Sequence, residues 1–356
     1  MELMLCVFVL LAPLVGFLTP NVQGLDGWTI YRDRVLILFA FVLLSWLFVN
    51  EPAFGIIFLL LFLRFKGMDT VEGVYSLHGI ALWSFILVLW LFVKHLSLEY
   101  LSLLLASLVL AGLVQCLLAI VDFGTFSYWR WKGKSLTPIC GTLGNRTYLA
   151  AYLSILVPLV ARRETVLIFL IFVIAILLCS SRGAVPALVA GVSVANWEFG
   201  KIMIPLGVIF VVLMLPWKHM DIFKSSSILD SFRGRLKVWA IAITATLEWP
   251  YILIGRGHNS FCQKAIFWMP QYGSKEGFVH AHNDYLQLFY EYGLAGVGAL
   301  MVVFWQLSSS MYLGGSLTGS AVAIAVISLT TFPNHIAPIG ATIVILLALI
   351  SRGVLL

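Results

Sequence analysis

Long apolar runs dominate the chain. They fall at 3–18, 35–49, 53–65, 77–93, 98–121, 147–161, 165–180, 183–197, 201–216, 293–313, 317–332 and 338–351. Most approach the roughly 17–25 residues that a helix needs to cross a bilayer. The runs at 53–65, 183–197, 317–332 and 338–351 are short and read as tilted or re-entrant. The pattern predicts an all-α polytopic membrane protein with about twelve transmembrane helices. A barrel is excluded, because its strands would alternate apolar and polar positions. The run 3–18 has no basic start, Glu2 being its only early charge, so it reads as a first span and not a cleaved leader.

The polar stretches are short except at 19–34, 122–146 and 217–292. An even number of spans puts both termini on one side and these three loops on the other. One integral domain, 1–356, is expected, with 217–292 as a large loop carrying short helices. Within it, 235–247 is amphipathic enough for a helix at the membrane surface, with Arg235 in its first turn. Trp249-Pro250 and Gly255-Arg256-Gly257 then break the chain into turns. The loop closes on His280-Ala281-His282-Asn283-Asp284-Tyr285. Helical spacing puts Tyr285, Leu288, Phe289 and Tyr292 on one face, before a Gly293-Leu294-Ala295-Gly296 break and an apolar run. A polar cluster thus stands where a loop becomes a helix, at the mouth of a span.

Composition agrees: 61% of residues are hydrophobic and 11% charged, against about half and a quarter in soluble domains. Charge complicates the orientation. Of 22 Lys and Arg, five (Lys94, Arg162, Arg163, Lys201, Arg352) lie on the side of the termini and seventeen on the long-loop side. Leaving out the eight in 217–292, the bias is still nine to five. The positive-inside rule alone would place the long loops in the cytoplasm. The net charge of +6 suits an anionic partner such as a phosphorylated lipid. Of the five cysteines, Cys6, Cys116 and Cys179 lie in apolar runs, while Cys140 and Cys262 lie in loops and are not expected to pair. No zinc-type spacing occurs, and no structural metal is expected.

Three side chains stand out. Arg182, in Ser180-Ser181-Arg182-Gly183-Ala184, sits between two apolar runs. It is either a snorkelling interfacial arginine or an anion clamp whose small neighbours let a ligand approach. Arg235 opens the amphipathic segment, where a helix start and a guanidinium together attract phosphate. Its neighbours Arg233 and Lys237 read as headgroup-facing. His282 has the ordinary pKa for proton transfer near neutrality. The alternation His280, His282, Asp284 also fits a metal site in extended chain, though Asn283 orients better than it ligates. His335 either lines the same cavity or is a turn residue. The aromatics of 126–131 read as an interfacial belt, and Asn145-Arg146-Thr147 matches the glycosylation triplet.

Taken together, these residues resemble the O-antigen ligase and O-antigen polymerase superfamily of the bacterial inner membrane. The strongest part is His282-Asn283, nine residues, Gly293, two residues, Gly296. Gly255-Arg256-Gly257-His258-Asn259-Ser260-Phe261 is similar to the family's Gly-x-Gly-x-x-x-Phe turn. Ser181-Arg182-Gly183, Arg235 with Trp239, and Gly141-Thr142-Leu143-Gly144-Asn145 before a helix resemble further family segments. The resemblance runs from about 141 to 296 and implies a GT-C-like helical bundle with one large periplasmic loop. It implies transfer of a glycan from undecaprenyl diphosphate to an acceptor hydroxyl by metal-independent inversion, with no cofactor. It also implies that Arg182 and Arg235 bind the diphosphate and that His282 is the base. Asn283, Gly255, Gly257, His258, Gly293, Gly296 and Asn145 would support them. The implied partners are the lipid-linked donor, a glycolipid or glycan acceptor and membrane lipids, with no nucleic acid. The same superfamily includes polymerases and protein O-oligosaccharyltransferases. A transporter of lipid-linked glycans, using the same arginines without chemistry, is the competing class.

Overall fold

The computed structural model describes residues 89–131, 139, 141–213, 226–257, 260–261, 280–311, 315–333 and 336–353. The expected spans at 3–18, 35–49 and 53–65 lie outside the described residues, as do His258, His335, Cys140 and Cys262. Cys116 and Cys179 are buried thiols.

The described chain is helical, and every apolar run within it from residue 98 onward forms a helix. In order these are α1 (Leu98–Trp131), α2 (Arg146–Leu156), α3 (Val166–Leu178), α4 (Ala184–Ala195), α5 (Trp197–Leu213), α6 (Ser226–Thr246), α7 (Tyr251–Ile254), α8 (Asp284–Met311), α9 (Ser316–Ile327) and α10 (Ala337–Ser351). In lipid a backbone must bond within its own segment, so an apolar run has little choice but helix. Two described stretches, Leu98–Thr125 and Asp284–Trp305, are long and apolar enough to cross a membrane by themselves. The helices α2, α4, α9 and α10 are shorter apolar segments.

The helical spacing expected over 285–292 is present, in a helix that starts at Asp284 and meets the apolar run at a kink at Gly293. Two sequence expectations need correction. The aromatic stretch 126–131 continues α1 as helix and is not loop. The amphipathic helix starts at Ser226 and not at 235. Arg235 therefore lies well inside α6, beyond the free N–H groups of its first turn. The anion-binding argument for Arg235 then rests on its side chain alone.

Helix packing follows the rule for membranes, where small residues let backbones meet. A Cβ on Gly191 of α4 would stand 2.8 Å from the Gly319 carbonyl oxygen of α9, and one on Gly319 would stand 2.4 Å from that of Gly191. The two helices touch through bare backbone. Against this pair lie α2 and the 3-10 turn Val157–Val160. The buried core is aliphatic, with Tyr152 and Phe172 as its largest enclosed rings. Near the far end of the chain Arg352 reaches back. Its Nη1 donates to the carbonyls of Val93 at 3.1 Å and Leu96 at 2.6 Å, closing the end of the helical segment 89–95.

Candidate functional site

The site forms where four segments meet: the turn between α3 and α4, the middle of α6, the start of α8 and the segment after α9. Thr330 is the meeting point. Arg235 Nη1 donates to its carbonyl oxygen at 3.2 Å. On the other side a Cβ on Gly183 would stand 2.4 Å from Thr330 Oγ1, so only glycine lets the α3–α4 turn come this close. The turn that carries Arg182 and the guanidinium of Arg235, far apart in sequence, thus meet at one residue.

The α3–α4 turn is tight. Ser180 takes a left-handed φ of 52° and ends α3, with its N–H on the Leu177 carbonyl at 3.0 Å. Arg182 follows, half-buried. Burial lowers the pKa of its guanidinium first, and the nearby charge of Arg146 lowers it further. Arg146 opens α2 and is exposed. Asn145 caps that helix, its Oδ1 accepting from Thr147 N at 2.8 Å. The turn before it is held by Gln115 of α1, which exchanges bonds with Thr142 at 2.7 and 3.3 Å, and by Asp122, which accepts from Gly141 N at 2.8 Å.

On α6, Arg235 and Trp239 are four residues apart and share a face. Trp239 Nε1 donates to the Ala281 carbonyl at 2.8 Å. Arg235 is largely buried, and its Nε has no hydrogen-bond partner among the described residues. Desolvation lowers the pKa of this guanidinium too. A buried donor left without an acceptor costs about 1–3 kcal/mol, and more for a charged group. Such an atom points to an anion.

His282 faces this arginine. Its backbone is left-handed, φ 53°, which costs about 1–2 kcal/mol outside glycine. Its pKa falls from 6.5 to about 4, chiefly by burial and then by the positive charge of Arg235. The imidazole is therefore neutral at pH 7. Its ring meets Phe332 edge-on at 4.9 Å, His280 stacks on Phe332 at 4.3 Å, and Tyr148 of α2 meets Phe332 at 5.5 Å. Phe332 is the hub of an aromatic wall. Asn283 caps α8 through Leu286 N at 3.1 Å, and Asp284 N donates to the Ser328 carbonyl at 2.9 Å.

The glycines support this arrangement without touching its reactive face. Gly293 leaves the helical region at φ 60°, ψ −152°, and kinks α8. Just before the kink, the carbonyls of Tyr290 and Glu291 accept from Arg256 N at 3.0 Å and Gly257 N at 2.9 Å. A Cβ on Gly293 would stand 2.6 Å from Gly255 N, and one on Gly255 would stand 2.2 Å from Tyr292 N. Past the kink, a Cβ on Gly296 would stand 2.5 Å from that of Tyr292. The Gly-Arg-Gly turn and the Gly-x-x-Gly kink are two halves of one joint. Arg256 belongs to that joint. Its Nη2 donates to the Ala245 carbonyl at 2.7 Å and to Glu248, and its guanidinium lies 4.1 Å over the Tyr251 ring.

Arg235, His282 and Asn283 therefore lie together, the turn that carries Arg182 packs on Thr330 through Gly183, and Asn145 caps the helix whose Tyr148 meets Phe332. The glycines form the frame of the site. Sequence reading missed Arg146, Thr330, Phe332 and the buried pair Gln287 and Glu291.

A family model described as O-antigen ligase matches residues 167–301. The match covers 135 of the 356 residues and supports membership of the O-antigen ligase superfamily. The superfamily segment runs from α3 into α8 and contains Arg182, Arg235 and His282 together with the glycine joint. Asn145, Arg146, Thr330 and Phe332 complete the site from outside it. No curated protein matches the chain.

Proposed function

We propose that the chain transfers a glycan from undecaprenyl diphosphate to an acceptor hydroxyl. The observation that carries this reading is the Arg235 guanidinium, enclosed beside His282 with its Nε lacking a partner among the described residues. A diphosphate supplies the missing acceptor, and Arg182, across Thr330, meets its other phosphate. The acceptor oxygen attacks the anomeric carbon, and the bond from that carbon to the diphosphate breaks. Both electrons leave with the lipid diphosphate, whose charge the two arginines neutralise. The acceptor proton passes to His282. A single displacement inverts the anomeric centre.

Electrostatics supports the order of events. Burial, and after it the charge of Arg235, keeps His282 neutral and weakly basic. A bound diphosphate offsets that positive charge and raises the basicity of His282 as the donor arrives. The arginines then face the outer side of the bacterial inner membrane, where the lipid-linked donor is presented, and this explains a positive bias on the long-loop side. The acceptor is a glycolipid in a ligase, a growing glycan in a polymerase and a hydroxyl side chain in a protein transferase.

The test is transfer in proteoliposomes with a polyprenyl-diphosphate-linked donor. His282→Ala should cut turnover to a small residual rate, and Arg182→Ala should abolish it. Full transfer by His282→Ala would end the base assignment, and absence of transfer by the wild-type chain would point to a transporter. A reporter fused at Lys275 should report the outer side; a cytoplasmic signal refutes the orientation.

A further inference from the structure

We infer that Gln287 is a positioning residue for His282, with Glu291 fixing the orientation of its amide. This rests on the reading of His282 as the base.

Gln287 and Glu291 lie on α8, one turn apart, with only 1% and 3% of their surfaces exposed. Together with Asn283, which caps the helix, they form a buried polar stripe with a spacing of four residues. Gln287 uses both ends of its amide. Its Oε1 accepts from Ala281 N at 3.2 Å, its Nε2 donates to Glu291 Oε1 at 3.1 Å, and the same nitrogen lies 3.5 Å from His280 Nδ1. A carboxylate only accepts, so Glu291 decides which end of the amide turns toward it. The oxygen is left for Ala281.

Ala281 is the residue before His282. Its N–H is held by Gln287 and its carbonyl by Trp239 Nε1 at 2.8 Å. His282 follows directly in the left-handed region, at φ 53°. Two bonds before His282 and the Asp284 N–H bond to Ser328 after it hold a conformation that a histidine does not choose by itself. That conformation sets the imidazole against Phe332 and toward Arg235. Gln287 touches neither ring of the proposed chemistry's partners; it acts through the peptide that carries one of them.

The experiment uses the full chain in liposomes with a polyprenyl-diphosphate-linked glycan and a glycolipid acceptor. Gln287→Glu keeps an acceptor for Ala281 N–H but sets a second carboxylate against Glu291. It should lower kcat by about 10–100-fold, with the donor KM within about threefold, because neither arginine is touched. The exchange Gln287→Glu with Glu291→Gln rebuilds the contact in reverse: the new carboxylate accepts from Ala281 N and from the new amide. It should recover most of kcat. In a His282→Ala background, Gln287→Glu should cause no further loss of the residual rate. Wild-type kcat in Gln287→Glu, failure of the exchange to recover rate in a folded protein, or the same loss in both backgrounds would overturn the inference. Should His282→Ala retain full turnover, the base assignment itself falls, and that result is separate from the other three.

Discussion

Replacing Gly293 with alanine attacks the joint that frames the site. The glycine holds φ 60°, ψ −152°, a region almost closed to residues with a Cβ, and occupying it costs about 1–3 kcal/mol. The added carbon would also stand 2.6 Å from Gly255 N, 2.7 Å from the Ile252 carbonyl oxygen and 2.7 Å from the Leu253 carbonyl carbon. All three are backbone atoms, so no side chain can swing away. Overpacking of this kind adds about 1–3 kcal/mol, and the sum is roughly 2–6 kcal/mol. Gly255→Ala meets the same wall from the other side, at 2.2 Å from Tyr292 N. Two other glycines provide controls. Gly257 has φ 98° and open space around its Cβ direction, so Gly257→Ala should show only the backbone strain. Gly298 lies in α8 with open space and no positive φ, so Gly298→Ala should be neutral or slightly stabilising. The assay is thermal unfolding of the purified protein in detergent micelles, followed by intrinsic tryptophan fluorescence. The expected order of loss is Gly293→Ala and Gly255→Ala above Gly257→Ala above Gly298→Ala. The double alanine variant should lose less than the sum of its parts, because both carbons fill one contact. Equal melting of the Gly293 and Gly298 variants would refute the joint.

Three further outcomes are expected. Arg235→Lys keeps the charge but loses the fork that serves both Thr330 and a phosphate, so kcat/KM should fall at least about 100-fold, close to the effect of Arg235→Ala; near-normal transfer by the lysine variant would count against a bidentate contact. His282 has its folded pKa depressed from 6.5 to about 4. The unfolded chain therefore binds this proton first, and stability should fall as pH drops from 6.5 toward 4 and level off below. Its share is at most about 3 kcal/mol, and chemical denaturation of His282→Gln should show a flatter pH profile across that window. Trp239→Phe removes the donor to the Ala281 carbonyl, which should lower stability by about 1 kcal/mol and reduce kcat more than donor KM.

The fold was legible because lipid allows little else. From 98–121 onward the described apolar runs became helices, and errors fell at their ends. At 126–131 and 226–234 polar and aromatic residues hid a helix that apolar periodicity could not reveal. The site was legible where a residue type was anomalous in its place: an arginine beside an apolar run, histidines at a span mouth, glycines repeated around turns. Thr330 and Phe332 are ordinary residues whose part comes from tertiary contact with Gly183, Arg235 and the two histidines, and no local pattern announces that. Arg146 was visible only as the middle of a triplet. Gln287 and Glu291 did leave a signal, since Asn283, Gln287 and Glu291 repeat every four residues. The aromatic face of the same helix masks it in the sequence, although in a membrane helix the polar stripe is the one turned inward.

The bonds from Arg352 to Val93 and Leu96 carry a consequence in time. The partners are separated by 259 and 256 residues. At a synthesis rate of about 5–20 residues per second, the arginine emerges roughly 13–50 s after the carbonyls it serves. During that interval the Val93 and Leu96 carbonyls have water or headgroups for partners, which holds this segment near the membrane surface. Its final seating is set by a side chain made 256 residues after Leu96, so this part of the bundle closes only once the residues between them have been made.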